Sequence, residues 1–162
     1  MDIPYTTHTL ANGLDVIVHQ DHHIPMAAVS VWYHVGSRHE QPGRTGFAHL
    51  FEHLMFKSTK YLASEQFDRL TEDVGGSNNA STREDVTNYF AVVPAKHLQR
   101  LLWAEAERMS NLDVNEANFK SERAVVQEEY RQHVLADPYG RFFESFAPHS
   151  YAAHPYSRGV IG

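Results

Sequence analysis

The segment 46–55, which reads GFAHLFEHLM, constrains the fold more than any other part of the chain. Its residues His49, Glu52 and His53 stand at positions i, i+3 and i+4. On a helix, that spacing directs all three side chains to one face within a single turn. Phenylalanines and leucines cover the other flanks. The pattern therefore predicts a helix that is buried on its apolar side and presents two imidazoles and a carboxylate to a cavity.

This set of side chains matches the chemistry of a metal site. Two imidazoles at this spacing can bind one zinc ion at about 2.0–2.1 Å, and catalytic zinc commonly has three protein ligands. Glu52 is placed to accept a proton from a water molecule whose pKa the ion has lowered to about 7. The order H-x-x-E-H defines the inverzincin motif. Because the chain has 12 histidines, a chance motif on a solvated helix face is the competing interpretation.

The composition narrows the class of protein. A length of 162 residues with 42% hydrophobic content predicts a single domain over residues 1–162. The net charge of −6 predicts no basic surface for nucleic acid. Without cysteine, any zinc must be held by histidine and carboxylate. No apolar run approaches the roughly 18 residues of a membrane span, and the first residues lack the pattern of a signal peptide.

Three strands are predicted in the first part of the chain. Residues 5–10 and 15–19 flank Asn12-Gly13, which indicates a hairpin with a type I′ turn. The run 27–35 is rich in β-branched and aromatic residues and is typical of a buried strand.

Two further segments after residue 75 are predicted to be extended. Residues 88–93 form a strand that ends at Pro94, and residues 78–81 form a short edge. An open edge could pair with an extended peptide, which is one way in which proteins bind a substrate backbone. From the residues alone, a plain surface turn at 78–81 is the favoured interpretation.

The second half of the chain is predicted to contain two long helices. The first covers residues 96–109, and its inward positions are Leu98, Leu101, Leu102 and Ala106. The second is capped by Asp113 or Asn115 and continues to about residue 136, where Asp137-Pro138 ends it.

The second long helix offers three candidates for a third metal ligand: Glu122, Glu128 and Glu129. Glu122 and Glu129 lie on one stripe with Val125 and Val126, where acids are unusual unless they are paired or bind a metal. Glu128 lies about 100° away from that stripe. The spacing thus gives Glu129 an advantage, but it leaves the choice open.

The chain resembles the pitrilysin/insulinase family of zinc peptidases, which includes mitochondrial processing peptidase and bacterial relatives. The similarity covers nearly the whole chain and rests on six segments in order: LANGLDVIV, VWYHVGSRHE, GRTGFAHLFEHLMFKST, GGSNNASTREDVTNYF, SERAVVQEE and HPYSRGVIG.

The resemblance implies a role for each matching residue. The metal ligands would be His49, His53 and Glu129, holding one Zn²⁺ ion, which fits a site of two histidines and a carboxylate better than manganese or cobalt. Glu52 would be the general base. Glu122 would support the catalytic site by steering a histidine or the water. Asn79 and Ala80 would form the substrate-binding edge, which makes the strand interpretation of 78–81 the stronger one.

The resemblance also implies a fold and an activity. The expected fold is α+β, a two-layer α/β sandwich with a mostly antiparallel sheet covered by helices on one side. The expected activity is that of a zinc-dependent endopeptidase. A non-catalytic scaffold or partner subunit of the same family is the alternative, and a domain in which zinc only stabilises the fold is a further one.

Members of this family normally enclose their peptide substrate between two homologous halves. The chain is therefore expected to be an incomplete N-terminal catalytic domain, cut short at its C-terminus. It would need a second homologous half, a partner subunit or a second copy in a homodimer. The resemblance to exported bacterial members favours a periplasmic location, after removal of a signal peptide, over a cytoplasmic one.

Overall fold

A computed structural model of the protein describes residues 3–162 and has five strands and five α-helices over that range. In chain order these are β1 (Thr6–Thr9), β2 (Asp15–Val18), β3 (Met26–Tyr33), α1 (Phe47–Leu54), α2 (Gln66–Glu72), β4 (Ser77–Thr82), β5 (Thr87–Pro94), α3 (Leu98–Asn111), α4 (Glu116–Tyr130) and α5 (Phe142–Ser150). None of the helices within residues 3–162 combines the length and the apolar character needed to cross a lipid bilayer. All strand pairs are antiparallel, and the predicted α+β class is confirmed.

Strands β1 and β2 form a separate hairpin in which Thr6 pairs with Val18 and Thr9 pairs with Asp15. The predicted type I′ turn is wrong. That turn needs positive φ at both central residues, but Gly13 alone has it in this loop, at 87°. The Gly13 N–H donates to the Leu10 carbonyl at 2.9 Å and closes a three-residue loop.

The second sheet has the order β3-β5-β4. Helices α1, α2 and α3 pack on one of its faces, where alternate residues of β5 such as Tyr89 and Val93 are buried. Trp32 and Phe90 lie on the opposite face and are 65% and 40% exposed. The prediction that β3 is buried is therefore wrong, because within residues 3–162 it is an edge strand with helices on one side.

The main core fills the space between this sheet and α2 and α3. Its apolar members are Leu62, Phe67, Ala91, Val93, Leu101 and Ala104. An ion pair lies within it: the Arg108 guanidinium donates two hydrogen bonds to the Glu105 carboxylate, at 2.8 and 2.9 Å. Arg108 is only 2% exposed, so a charged pair is part of the interior.

Helix α4 lies against α1. A smaller apolar cluster of Leu50, Leu54 and Val126 joins the two helices. The Asn115 side chain accepts the Asn118 N–H at 2.9 Å and caps the start of α4. After Tyr130 the helix widens into a π-helical segment over Arg131–Ala136 and ends at the extended Asp137. Of the two predicted caps, Asp113 and Asn115, the structure has Asn115, and the predicted end near residue 136 is confirmed.

A buried carboxylate fixes the loop between α1 and α2 to α3. Glu107 accepts hydrogen bonds from the Thr59 hydroxyl at 2.9 Å, the Tyr61 N–H at 3.1 Å and the Asn111 amide at 2.6 Å. Thr59 also forms a β-bridge with Leu112. Helix α3 therefore holds the chain that leaves α1.

These hydrogen bonds make a pH-dependent contribution to stability. Burial alone would raise the pKa of Glu107, but the donors Asn111, Thr59 and Tyr61 together bring that pKa below its ordinary value of 4.5. A lowered folded-state pKa means that the contribution is present above pH 4.5 and is lost as the pH falls through the folded-state pKa. We expect Glu107→Gln to lower the Tm at pH 7 and the difference from the unaltered protein to shrink below pH 4.5.

Thermal unfolding between pH 3 and pH 7 checks this, on the range in which carboxylates titrate. Glu72→Gln, at an exposed acid of α2, is the matched control and should leave the Tm almost unchanged. A gap between Glu107→Gln and the unaltered protein that stays constant with pH would contradict the assignment.

Candidate metal centre

Helices α1 and α4 bring three potential ligands together. His49 and His53 lie one turn apart on α1, with their ring centroids 4.8 Å apart. The Oε2 atom of Glu129 on α4 lies 3.7 Å from His49 Nε2 and 3.4 Å from His53 Nε2. One atom from each residue lies within 4.8 Å of the other two. The structure thus joins residues that are 76 positions apart, His53 and Glu129, at one point.

The spacing of these atoms fits a metal ion. Both nitrogen–oxygen distances exceed the 2.7–3.2 Å of an ordinary N–H···O hydrogen bond. Atoms bound to one tetrahedral zinc at about 2.0–2.1 Å stand about 3.3–3.4 Å apart, which is close to the two distances observed. The donor set of two imidazoles and one carboxylate is also one that catalytic zinc uses, with a fourth position left for water.

The electrostatics of His49 favour the form that binds metal. Burial lowers the pKa of His49, and the nearby charge of Glu129 opposes that effect only in part. A lowered pKa keeps the imidazole neutral near pH 7, and only the neutral ring offers a lone pair to an ion.

The other histidine is oriented from its far side. Glu122 Oε2 lies 3.5 Å from His53 Nδ1, and Glu122 Oε1 forms an ion pair of 2.8 Å with Lys57 Nζ. Glu122 is buried, so Lys57 supplies the compensating charge that a buried carboxylate needs. A carboxylate at Nδ1 leaves Nε2 of His53 as the atom that faces the site.

Glu52 lies on the same face of α1 but points toward the sheet. Its Oε2 atom accepts a hydrogen bond from the hydroxyl of Thr82, the last residue of β4. The Thr82 hydroxyl also lies 3.4 Å from that of Thr87, which in turn donates to the Val35 carbonyl at 2.9 Å. The carboxylate is therefore attached to the end of the edge strand, and its second oxygen is left for another proton donor.

The structure separates the candidates that the spacing left open. Glu128 is exposed and accepts hydrogen bonds from Arg131 and Gln132 at 3.1 and 3.2 Å, so it points away from the histidines. Glu122 contacts His53 from behind. Glu129 alone of the three faces both histidine Nε2 atoms.

Asn79 and Ala80, the residues of the expected substrate edge, lie in the middle of β4. Among residues 3–162, β4 pairs with β5 alone, so its outer edge is open. The Ala80 N–H donates to the Asn79 side-chain oxygen at 2.8 Å. Ala80 shares the helix-facing side of the sheet with Thr82, which places the open edge next to α1.

Two residues of the site were absent from the sequence-based prediction. Lys57 stands four positions after His53, so helical spacing could have placed it near the site, but nothing in its neighbours indicated a pairing with Glu122. Thr82 carried no signal, because the contact between β4 and α1 depends on tertiary structure.

Comparison with known proteins identifies the family to which the chain belongs. The family model described as Insulinase (Peptidase family M16) matches residues 15–161. The chain is 41% identical over 155 residues to Zinc protease PqqE of Helicobacter pylori, covering 95% of this chain and 35% of that protein. It is 32% identical over 133 residues to mitochondrial-processing peptidase subunit beta of Bos taurus, covering 82% of this chain and 27% of that protein.

A solved structure gives the same result. The crystal structure of a protease from Helicobacter pylori superposes with a TM-score of 0.95 at 39% identity, covering 99% of this chain and 39% of that one. The chain thus spans little more than a third of these bacterial relatives. The match includes the helices and strands that carry His49, His53, Glu129 and Glu52. With 147 of its 162 residues within the family model, this chain belongs to the insulinase family, peptidase family M16.

Proposed function

We propose that this chain is the metal-binding part of a zinc-dependent endopeptidase, with His49, His53 and Glu129 holding one zinc ion. The convergence of their three ligand atoms within 4.8 Å is the observation that carries the proposal. The names of the relatives, Zinc protease PqqE among them, support both the metal and the reaction. The full set of ligands is present, and this favours the enzyme over a non-catalytic scaffold of the same family.

The reaction we propose is hydrolysis of a peptide bond by an activated water molecule. A bound zinc ion would lower the pKa of that water to about 7 and polarise the carbonyl of the peptide bond. Glu52 accepts the proton of the attacking water and returns it to the leaving nitrogen. The hydrogen bond from Thr82 holds Oε2 of Glu52, so Oε1 is the atom that takes the proton. Glu122 keeps His53 oriented through Nδ1.

The open edge of β4 supplies a place for the substrate. We propose that a peptide pairs with β4 through the main-chain groups of Ala80, which face the open edge, and through the side chain of Asn79. These contacts would replace the bond between the Ala80 N–H and the Asn79 side chain. A peptide in this position lies beside α1, because Thr82 at the end of the same strand contacts Glu52. The edge strand thereby aligns the substrate backbone with the general base.

A second homologous half completes the enzyme in this proposal. The chain spans 35% of Zinc protease PqqE, and one relative bears the name of a subunit, mitochondrial-processing peptidase subunit beta. The metal centre is also partly open, with the Glu129 side chain 32% exposed. A second half or a second copy of the chain would cover it and keep bulk solvent out of the site. The periplasmic location stays a prediction.

Metal removal tests the proposal. We expect the chain to bind one zinc ion and to cleave unstructured peptides when combined with a second homologous half. A chelator should abolish cleavage, and added zinc should restore it. Because α1 packs against the sheet and α4 packs against α1 without the ion, the metal-free chain should keep a cooperative unfolding transition, with a lowered Tm. Metal analysis, peptide cleavage and thermal unfolding measure the three effects.

Three outcomes would each contradict a part of this account. A chain that binds no zinc would contradict the proposed metal site. Zinc binding without cleavage, with the second half present, would favour a non-catalytic subunit. Loss of the unfolding transition in the metal-free chain would indicate a zinc ion that only stabilises the fold.

A further inference from the structure

The helix that carries both histidines begins without a capping side chain. Its N-cap residue is Gly46, which has a left-handed φ of 83° and makes no side-chain hydrogen bond. A Cβ atom at this position would lie 2.7 Å from the Ile161 carbonyl oxygen and 3.1 Å from the Gly162 Cα atom. Serine, aspartate or asparagine, the usual N-cap residues, would be strained here by both the backbone and the lack of space.

Glu40 caps the helix from outside instead. Its Oε2 atom accepts the Gly46 N–H at 2.9 Å, and its Oε1 atom accepts the Ala48 N–H at 2.7 Å. Glu40 follows the short 3₁₀ helix Ser37–His39, which is tied to the sheet side by hydrogen bonds to the Arg83 and Glu84 carbonyls. The side chain is partly buried, so its two acceptors are held in place rather than shared with bulk water.

The position of this carboxylate matters for the first metal ligand. Ala48, whose N–H Glu40 accepts, directly precedes His49 in the first turn of α1. His53 lies one turn later, next to Leu54 of the apolar cluster, and its ring faces Glu122 at 3.5 Å. Of the two histidines, His49 is the one whose backbone depends on the cap.

The charge of Glu40 acts in the same direction as its geometry. The start of a helix carries a partial positive charge of about half an elementary charge. A divalent cation bound at His49 would lie within the first turn and be repelled by it. A carboxylate placed on the free N–H groups offsets that repulsion.

We propose that Glu40 is a positioning residue for the metal centre, which fixes the first turn of α1 and offsets its positive end so that His49 and His53 bind zinc together. This inference rests on the zinc site proposed above. It concerns a residue outside the H-x-x-E-H motif that contacts neither metal ligand directly and acts through the backbone of α1.

The test compares the zinc affinity of three variants by competition with a chromophoric chelator. Glu40→Gln keeps the size of the side chain but removes its charge, and we expect it to weaken zinc binding about threefold. Glu40→Ala removes both acceptors, and we expect a loss of about tenfold or more. Asn115→Ala removes the cap of α4 far from the metal centre and is the matched control.

Thermal unfolding of the metal-free chains separates positioning from stability. All three substitutions should lower the Tm, because each weakens or removes the cap of a helix. Only the two Glu40 variants should lose zinc affinity. Equal affinity in the Glu40 variants and the unaltered chain, or a loss that Asn115→Ala reproduces, would overturn the proposal for Glu40 alone. An unaltered chain that binds no zinc would instead overturn the zinc site itself.

Discussion

Replacing Glu52 by glutamine is expected to reduce peptide hydrolysis by about 10³-fold while zinc stays bound. The amide keeps the size of the side chain and can still accept the hydrogen bond from Thr82, but it cannot take a proton from water. A positioned general base typically contributes between about 10²- and 10⁴-fold to a rate. The measurement is kcat for a peptide substrate, with the chain and its second homologous half combined, together with the bound zinc per chain.

The control for Glu52→Gln is a variant of Thr82, the β4 residue that donates a hydrogen bond to Glu52. Thr82→Val removes the hydrogen bond to Glu52 but leaves the carboxylate, so the reduction in kcat should be smaller, about tenfold. Turnover by Glu52→Gln within a few fold of the unaltered enzyme would eliminate Glu52 as the base. Loss of zinc from that variant would show that Glu52 holds the metal instead.

Replacing Arg108 by alanine is expected to destabilise the chain by about 3–5 kcal/mol, because it leaves a buried carboxylate without its partner. Arg108 is 2% exposed and donates both hydrogen bonds to Glu105. Its guanidinium also lies over the rings of Phe67 and Tyr89, at 4.2 and 4.4 Å from their centroids. Urea-induced unfolding of the two chains at pH 7 measures the difference.

A double variant tests whether the charge is the cause. Burial raises the pKa of Glu105 and the charge of Arg108 opposes that effect, so without Arg108 the carboxylate is the group under strain. Combining Arg108→Met with Glu105→Leu removes both charges and fills a similar volume. It should recover most of the lost stability, since buried ion pairs can often be replaced by apolar residues at little cost. A double variant no more stable than Arg108→Ala would refute this explanation.

The same ion pair shows where sequence periodicity fails. The spacing of α3 predicted that Leu102 and Ala106 face inward. Both predictions are wrong, because the two residues are exposed. The buried face of this helix carries Glu105, Glu107 and Arg108. A prediction from hydrophobic spacing assumes that each charged side chain is in solvent. In the structure, the buried charges are compensated by partners on the same helix and in the loop after α1.

The parts of the site that depend on local order could be predicted. The face of α1 with His49, Glu52 and His53 follows from helical spacing alone, and the stripe on α4 gave Glu129 its advantage. The direction of the Glu128 side chain agrees with that stripe. The face of a helix on which a side chain lies can therefore be predicted from the sequence.

The parts that depend on contacts between elements could not. The order β3-β5-β4 brings Thr82 to Glu52, and no local pattern specifies that order. The pairing of Lys57 with Glu122 joins the segment after α1 to α4, and Glu40 reaches α1 across a loop of several residues. Each of these contacts is set by packing, which periodicity does not describe.

The division of the ligands between α1 and α4 has a consequence beyond catalysis. An ion bound to all three would cross-link two points of the chain 76 residues apart, His53 and Glu129, as a covalent bridge would. Closing so long a loop removes much freedom from the unfolded chain. Helix α4 could then open locally only by releasing the ion. Its resistance to proteolysis would follow the supply of zinc, so that metal starvation would expose this part of the polypeptide first.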